Sequence, residues 1–166
     1  MVIKGANNWD LGLSGACEGG HSDFVKLMID EGATDWDWGL SGACRFGHYD
    51  VVQLMIEKGA TNWDVGLLRA CEGGHLDLAQ LMIDKGATNV NRGLRIACDR
   101  GDLDLAKLMI KNGATDWDNG LEKAYCRHLG LVKLMIEKGA TNTGIYFSYP
   151  IDEGALIELL EMDSMY

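Results

Sequence analysis

Residues 32–58 read GATDWDWGLSGACRFGHYDVVQLMIEK, and close variants of this stretch recur along the chain. Its opening Gly-Ala-Thr begins at Gly32 and returns at Gly59, Gly86 and Gly113, each 27 residues after the one before. A short fixed period of this kind is typical of a solenoid, in which stacked units share one continuous core. We therefore expect function to lie where the units differ, and not in one catalytic centre.

The period divides the chain into five units with a shorter piece at each end. We predict a single repeat domain over residues 1–166, with a partial repeat at 1–4 and a C-terminal capping segment at 139–166. The complete repeats are predicted at residues 5–31, 32–58, 59–85, 86–112 and 113–138. The last repeat is one residue short and has an unusual turn at 125–130, where we expect local distortion and a more exposed Cys126.

The first half of each unit has the apolar spacing of a short helix. In residues 32–58, Leu40, Ala43 and Cys44 are spaced i, i+3 and i+4, so they lie on one helical face. Asp37 precedes the first of them and is the expected N-cap, because its carboxylate can accept backbone N–H groups. Gly47 is expected to end the helix, since glycine readily adopts the positive φ of a helix C-terminus.

The second half of each unit predicts another helix, which begins near His48 and is stopped by Gly59. Its apolar residues are too many for one narrow stripe, which indicates a helix covered on both sides, as in a stack. These residues are Val51, Val52, Leu54, Met55 and Ile56. Each unit is therefore predicted to be a helix–turn–helix hairpin.

The combined pattern, Leu-x-x-Ala-Cys-x-x-Gly-His-x-Asp-x-x-x-Leu-Met-Ile-x-x-Gly-Ala, resembles the ankyrin repeat from residue 1 to about 140. The resemblance implies an all-α, ankyrin-like solenoid of helix–turn–helix repeats. Ankyrin units have about 33 residues, and the residues missing here fall where ankyrins carry their β-hairpin fingers. Gly39 and its counterparts stand where the family has proline. The short units are similar to ankyrin arrays encoded by giant viruses of amoebae.

Charge and composition exclude several classes of partner. The chain has 15 basic and 25 acidic residues, a net charge of −10, which argues against nucleic acid and anionic membranes. No apolar run approaches the roughly 20 residues of a membrane span, and Met1–Gly5 does not resemble a signal peptide. We expect a cytoplasmic protein, with the cytoplasm of a host cell as one alternative. We expect no nucleic-acid or membrane partner.

The cysteines recur with the repeats. Equivalent positions in neighbouring repeats are about 8–10 Å apart, too far for a disulfide, so we expect buried thiols in a reducing compartment. The pairs Cys17/His21 and Cys44/His48 allow zinc as an alternative, but we expect these histidines to hydrogen-bond turn backbone. No nucleophile–base set stands out, so we predict no metal, no cofactor and no enzymatic activity.

Positions that vary between repeats identify a candidate binding surface. In ankyrin repeats the first helices line the concave face, which usually binds partners. Aromatic and arginine side chains, which are enriched at binding hot spots, occur among the variable first-helix positions. The alternative is sequence drift on a solvated face. The candidate partner-binding residues are Trp38, Arg45, Phe46, Leu68, Arg69, Glu72, Arg92, Arg95, Asp99 and Arg100.

The leading hypothesis is a protein–protein interaction scaffold or adaptor that binds an unidentified protein through this concave face. A self-associating array, forming a homo-oligomer through the N-terminal repeat, is the main alternative. Two weaker alternatives remain. One is a small-ligand sensor that uses the arginines, and the other is an F-box-like ubiquitin-ligase adaptor formed by Pro150 and residues 157–160.

Overall fold

The computed structural model describes residues 8–125 and 128–141, and all regular secondary structure within these ranges is α-helical. The helices alternate between the first and the second helix of each repeat. They are α1 (Trp9–Glu18), α2 (Ser22–Asp30), α3 (Trp36–Phe46), α4 (Tyr49–Lys58), α5 (Trp63–Gly73), α6 (Leu76–Asp84), α7 (Val90–Arg100), α8 (Leu103–Lys111), α9 (Trp117–Ala124) and α10 (Leu129–Lys138).

The chain divides into two compact units, with the boundary between Asn89 and Val90. In unit 1, which holds α1–α6, the first helices α1, α3 and α5 pack side by side in that order, and each packs on its own second helix. In unit 2, which holds α7–α10, α7 packs against α9, and each again packs on its second helix. The single domain over residues 1–166 stays a prediction.

The glycines that end the helices have the backbone conformation that the sequence indicates. Gly47, after α3, has φ 81°, and Gly59, after α4, has φ 110°. Side chains with a Cβ rarely adopt these angles, whereas glycine does so at little cost. The predicted ends of the two helices in residues 32–58 are therefore confirmed.

Asp37 is not the N-cap of α3, and that prediction is wrong. The helix begins at Trp36, and Asp35 caps it by accepting a hydrogen bond from the Trp38 N–H at 3.0 Å. Asp37 instead reaches into the next repeat, where its Oδ1 accepts the N–H groups of Thr61 at 2.7 Å and the following Asn62 at 2.8 Å. Asp37 thus ties two repeats together.

The same contact recurs throughout the described residues. In each repeat the second residue of the first helix is Asp or Asn, and its Oδ1 accepts from the loop that precedes the next first helix. We call these five residues the inter-repeat acceptors, and each contact lies within one unit. They are Asp10 (to Thr34 and Asp35), Asp37, Asp64 (to Thr88 and Asn89), Asn91 (to Thr115 and Asp116) and Asp118 (to Thr141).

Two of the histidines before the second helices bind backbone of the preceding repeat, as expected. His48 Nε2 lies 2.8 Å from the Glu18 carbonyl oxygen, and His75 Nε2 lies 3.2 Å from the Arg45 carbonyl oxygen. Helix ends leave carbonyls without a partner inside the helix, and the imidazoles supply one. Within the described residues, no group of three or more His, Cys, Asp and Glu side chains is arranged to hold a metal ion.

A recurring cluster of Met, Cys and Gly fills the core. The predicted burial of Cys17 and its counterparts Cys44, Cys71 and Cys98 is confirmed. A Cβ on Gly39 would lie 2.6 Å from Met55 Sδ and 3.1 Å from Cys17 Sγ. Glycine therefore stands at this position because the sulfur atoms of its own and the preceding repeat occupy the space.

The first helix of the fifth repeat ends differently from α3 and α5. The helix α9 has eight residues, against eleven in α7, and Tyr125 after it is right-handed where α3 is followed by a left-handed glycine. His128 has φ −134°, against −86° at His48. The predictions for Cys126, the partial repeat 1–4, the capping segment beyond Thr141 and the F-box-like segment fall outside the described residues.

Candidate functional site

The helix α3 carries three of the predicted partner-binding residues, and all three are exposed. Trp38 has 40% of its surface accessible, and Arg45 lies seven residues on, two helical turns along the same face. The Arg45 guanidinium carbon lies 5.9 Å from the centroid of the Phe46 ring. This distance allows a cation–π contact of about 0.5–1 kcal/mol, which orients both side chains at the surface.

The helix α5 contributes less surface than its sequence indicates. Leu68 is only 8% exposed, so it belongs to the core and offers little area to a partner. Arg69 and Glu72, which lie one turn apart, form an ion pair at 2.6 Å and are both half-buried. Exposed ion pairs contribute about 0–1 kcal/mol to stability, so the pair mainly fixes the direction of the guanidinium.

The remaining four predicted residues lie on α7 in unit 2. Arg92, Arg95, Asp99 and Arg100 are all exposed. Arg92 and Arg95 are three residues apart, which places them on adjacent turns of one face. This part of the candidate surface is strongly polar, in contrast to the part on α3.

Sequence reasoning left Leu11 out of the candidate surface, although 57% of it is exposed. Leu11 on α1, Trp38 on α3 and the half-buried Val65 on α5 occupy the same position in their repeats. The signal was present, because the identity of this position varies between repeats. We call these three residues the apolar row.

One turn beyond the apolar row, α1 and α3 carry glycine, whereas α5 carries Arg69. Gly15 on α1 has no neighbour within 4 Å of the place that a Cβ would take. At Gly42 on α3, a Cβ would meet Glu18 Cγ at 2.8 Å, so the stem of that glutamate already lies over the helix. The surface beside Leu11 is therefore open, whereas the Glu18 side chain covers the surface beside Trp38.

The buried thiols are poor nucleophiles. Burial raises the pKa of Cys17, Cys44 and Cys98 to about 12, and the nearby Glu18 carboxylate adds to this rise at Cys17. Because the thiolate is the reactive form, these side chains are almost entirely protonated at neutral pH. Their role in the structure is packing.

Residues 40–120 match the family model for ankyrin repeats, in three copies. No curated protein shows a significant match to the chain. The matched segment consists of ankyrin repeats, and the predicted all-helical, ankyrin-like repeat fold is confirmed. Ankyrin repeats generally mediate protein–protein interactions, and proteins built from them are typically non-enzymatic scaffolds. Among the helices of the described segments, none has the length and hydropathy to cross a bilayer.

Proposed function

We propose that this protein is an interaction scaffold or adaptor that binds another protein through its first-helix surface. We use this term for the exposed side chains of α1, α3 and α5 in unit 1 and, separately, for those of α7 in unit 2. The exposed Trp38, with Arg45 and Phe46 on the same helix, carries the proposal. Tryptophan and arginine are enriched at binding hot spots, and apolar aromatic surface gains free energy when a partner covers it.

Affinity capture with quantitative mass spectrometry tests this proposal. The immobilised wild type is compared with Trp38→Ser/Phe46→Ser and with a control, Tyr49→Ser/Leu76→Ser, on the second helices. The control is matched, since Leu76 is 39% exposed and Trp38 40%. We expect at least a tenfold loss of specific partners with the first variant only. Equal recovery by all three proteins contradicts the proposed surface.

A charge-reversal variant tests the contribution of α7. Arg92→Glu/Arg95→Glu changes two exposed side chains of unit 2 without touching the core. Partners that contact both units are lost with this variant and with Trp38→Ser/Phe46→Ser. If a partner is lost with one variant alone, its binding site lies on the unit that carries that variant.

Self-association is a second candidate, favoured by the exposure of α2. Phe24 is 60% exposed, whereas Val51 and Leu78, at the same position of the next two repeats, are buried. We propose that two chains associate through this helix. Sedimentation equilibrium should show a concentration-dependent dimer that Phe24→Asn weakens. A strict monomer at millimolar concentration removes this candidate.

We also propose an intracellular, reducing location. Buried thiols that form no disulfide with one another, as at Cys17, Cys44 and Cys98, support it. Fractionation of cells that produce the full chain, with thiol labelling after denaturation, tests the location. Recovery of the protein from an oxidising compartment, with cysteines that do not label after denaturation, contradicts this location.

A further inference from the structure

We propose that the first-helix surface of unit 1 binds an amphipathic helix of its partner, laid across α1, α3 and α5. The apolar residues of that helix recur every seven positions, and lysine or arginine flanks them. This inference rests on the proposed function and names the kind of segment that the partner presents.

The apolar row sets the spacing of the partner. Leu11, Trp38 and Val65 occupy equivalent positions on three helices packed side by side. The axes of packed helices are about 8–10 Å apart. An α-helix rises about 1.5 Å per residue, so seven residues span about 10.5 Å. Residues i, i+7 and i+14 of a crossing helix therefore reach the three members of the row in turn.

A row of carboxylates next to the apolar row sets the charge of the partner. Asp10, Asp37 and Asp64 directly precede Leu11, Trp38 and Val65 in the sequence. Each Oδ1 accepts two backbone N–H groups, which holds the carboxylate in place. Together, α1, α3 and α5 carry five acidic residues and two basic ones, Arg45 and Arg69. Basic side chains beside the apolar positions of the partner meet this row, which aids encounter and fixes orientation.

The open surface of α1 beside the apolar row allows close approach. Gly15 leaves the backbone of α1 open, and the neighbouring Ser14 is buried. An incoming helix can therefore approach the backbone of α1 one turn beyond Leu11, and it meets the Glu18 side chain over Gly42 on α3.

Unit 2 repeats neither row. The positions equivalent to the apolar row hold Arg92 and Asn119, and one of its two inter-repeat acceptors is the neutral Asn91. The proposed preference therefore belongs to unit 1, and unit 2 supplies the substitutions that remove it.

The experiment is a selection from a displayed library of helix-forming peptides of about 21 residues on the immobilised full chain. Enriched peptides are then measured by fluorescence anisotropy against three proteins: the wild type, Leu11→Asn/Trp38→Arg, which carries the residues of unit 2, and the control Tyr49→Asn/Leu76→Arg. Circular dichroism and urea unfolding verify that the variants fold. We expect peptides with apolar residues at i, i+7 and i+14 flanked by Lys or Arg. They should bind the first variant at least tenfold more weakly and the control unchanged.

Selection of no peptide, of peptides without this spacing, or of peptides that bind Leu11→Asn/Trp38→Arg as well as the wild type overturns the inference. The affinity-capture experiment separates this outcome from failure of the proposed function. If Trp38→Ser/Phe46→Ser loses cellular partners while no helix is selected, the surface binds proteins but not through a crossing helix. If neither experiment distinguishes the variants, both proposals fall.

Discussion

At the scale of single residues, neighbouring repeats are joined by a side-chain oxygen that accepts hydrogen bonds from two consecutive backbone N–H groups. Asp37 binds Thr61 and Asn62 in this way, and Asn91 makes the same contact with Thr115 and Asp116. An amide oxygen thus replaces a carboxylate oxygen at one of the five sites. The contact requires an acceptor of this length at this place, and the charge is secondary.

Substitution of Asp37 tests this requirement. Asp37→Ala leaves two N–H groups without their acceptor, and we expect a loss of about 1 kcal/mol in the free energy of unfolding. Asp37→Asn, which copies Asn91, should lose less than half as much. Urea unfolding followed by circular dichroism measures both. An equal loss in the two variants contradicts the assignment, because only one of them removes the acceptor.

The pH dependence of stability provides a second test, at Asp10. The hydrogen bonds from Thr34 and Asp35 lower the pKa of this carboxyl below its ordinary 3.8. A group with a lowered folded-state pKa stabilises the fold above its unfolded pKa, and this contribution is lost as the pH falls through the folded value. Between pH 5 and pH 3 the urea midpoint of the wild type should therefore fall more than that of Asp10→Asn. Parallel curves for the two proteins contradict the role of Asp10.

The sequence predicted some residue roles and missed others for identifiable reasons. The positive φ of Gly47 and Gly59 follows from local chain geometry, which a short window contains. The role of Asp37 depends on a loop 24 residues away, and the nearby Asp35 takes the capping position. Leu68 varies between repeats because its position lies at the edge of the core, and variation alone does not distinguish an edge from a surface.

At the scale of helices, packing between repeats restricts where glycine can be replaced. Gly73, near the end of α5, lies against the carbonyl oxygen of Arg45 on α3 and against the His75 ring. Gly15 in α1 and Gly130 in α10 have no such neighbours. Packing therefore requires glycine at Gly73. At Gly15 and Gly130 nothing requires glycine, and its poor helix propensity lowers the stability of the helix.

Alanine substitutions at Gly73 and Gly15 should therefore change the stability of the protein in opposite directions. Gly73→Ala forces a methyl group onto backbone and disturbs the His75 contact, which should destabilise the protein by about 1–3 kcal/mol. Gly15→Ala relieves the poor helix propensity of glycine and should stabilise it by up to about 1 kcal/mol. Thermal unfolding compares the two variants. A stabilising Gly73→Ala would show that α5 and α3 do not pack this closely.

The helical hairpins of the first four repeats were predictable because the apolar periodicity and the terminal glycines agree. The end of α9 shows the limit of this reasoning. Its eight residues and the right-handed Tyr125 follow from the loss of one residue and of the turn glycine. The sequence indicates that this turn changes, but the His128 ring lies against Gly101 of the preceding repeat, and a short window of sequence does not contain that contact.

At the scale of the whole molecule, the reactivity of the cysteines tests the packing of several repeats in one experiment. Cys17, Cys44 and Cys98 are buried in three different repeats. With their pKa raised to about 12, these thiols should not react with a disulfide reagent at pH 8 while the protein is folded. In Cys126→Ser, which removes the one cysteine outside the described ranges, we expect labelling only at the rate of unfolding. Rapid labelling of any of the three in native buffer contradicts the packing.

The hydrogen bonds of the inter-repeat acceptors all have the same direction along the chain. Each acceptor receives its hydrogen bonds from a loop that follows it in the chain, so during synthesis the acceptor emerges from the ribosome before its donors. An earlier repeat can therefore guide the next one into place as it appears. Deleting a repeat from the carboxyl side exposes an Asp or Asn side chain, which water solvates well, whereas deletion from the amino side removes the acceptor of a loop that remains. Shortening the array should thus be tolerated better from its carboxyl end, and growth of such a protein by added repeats is easiest there.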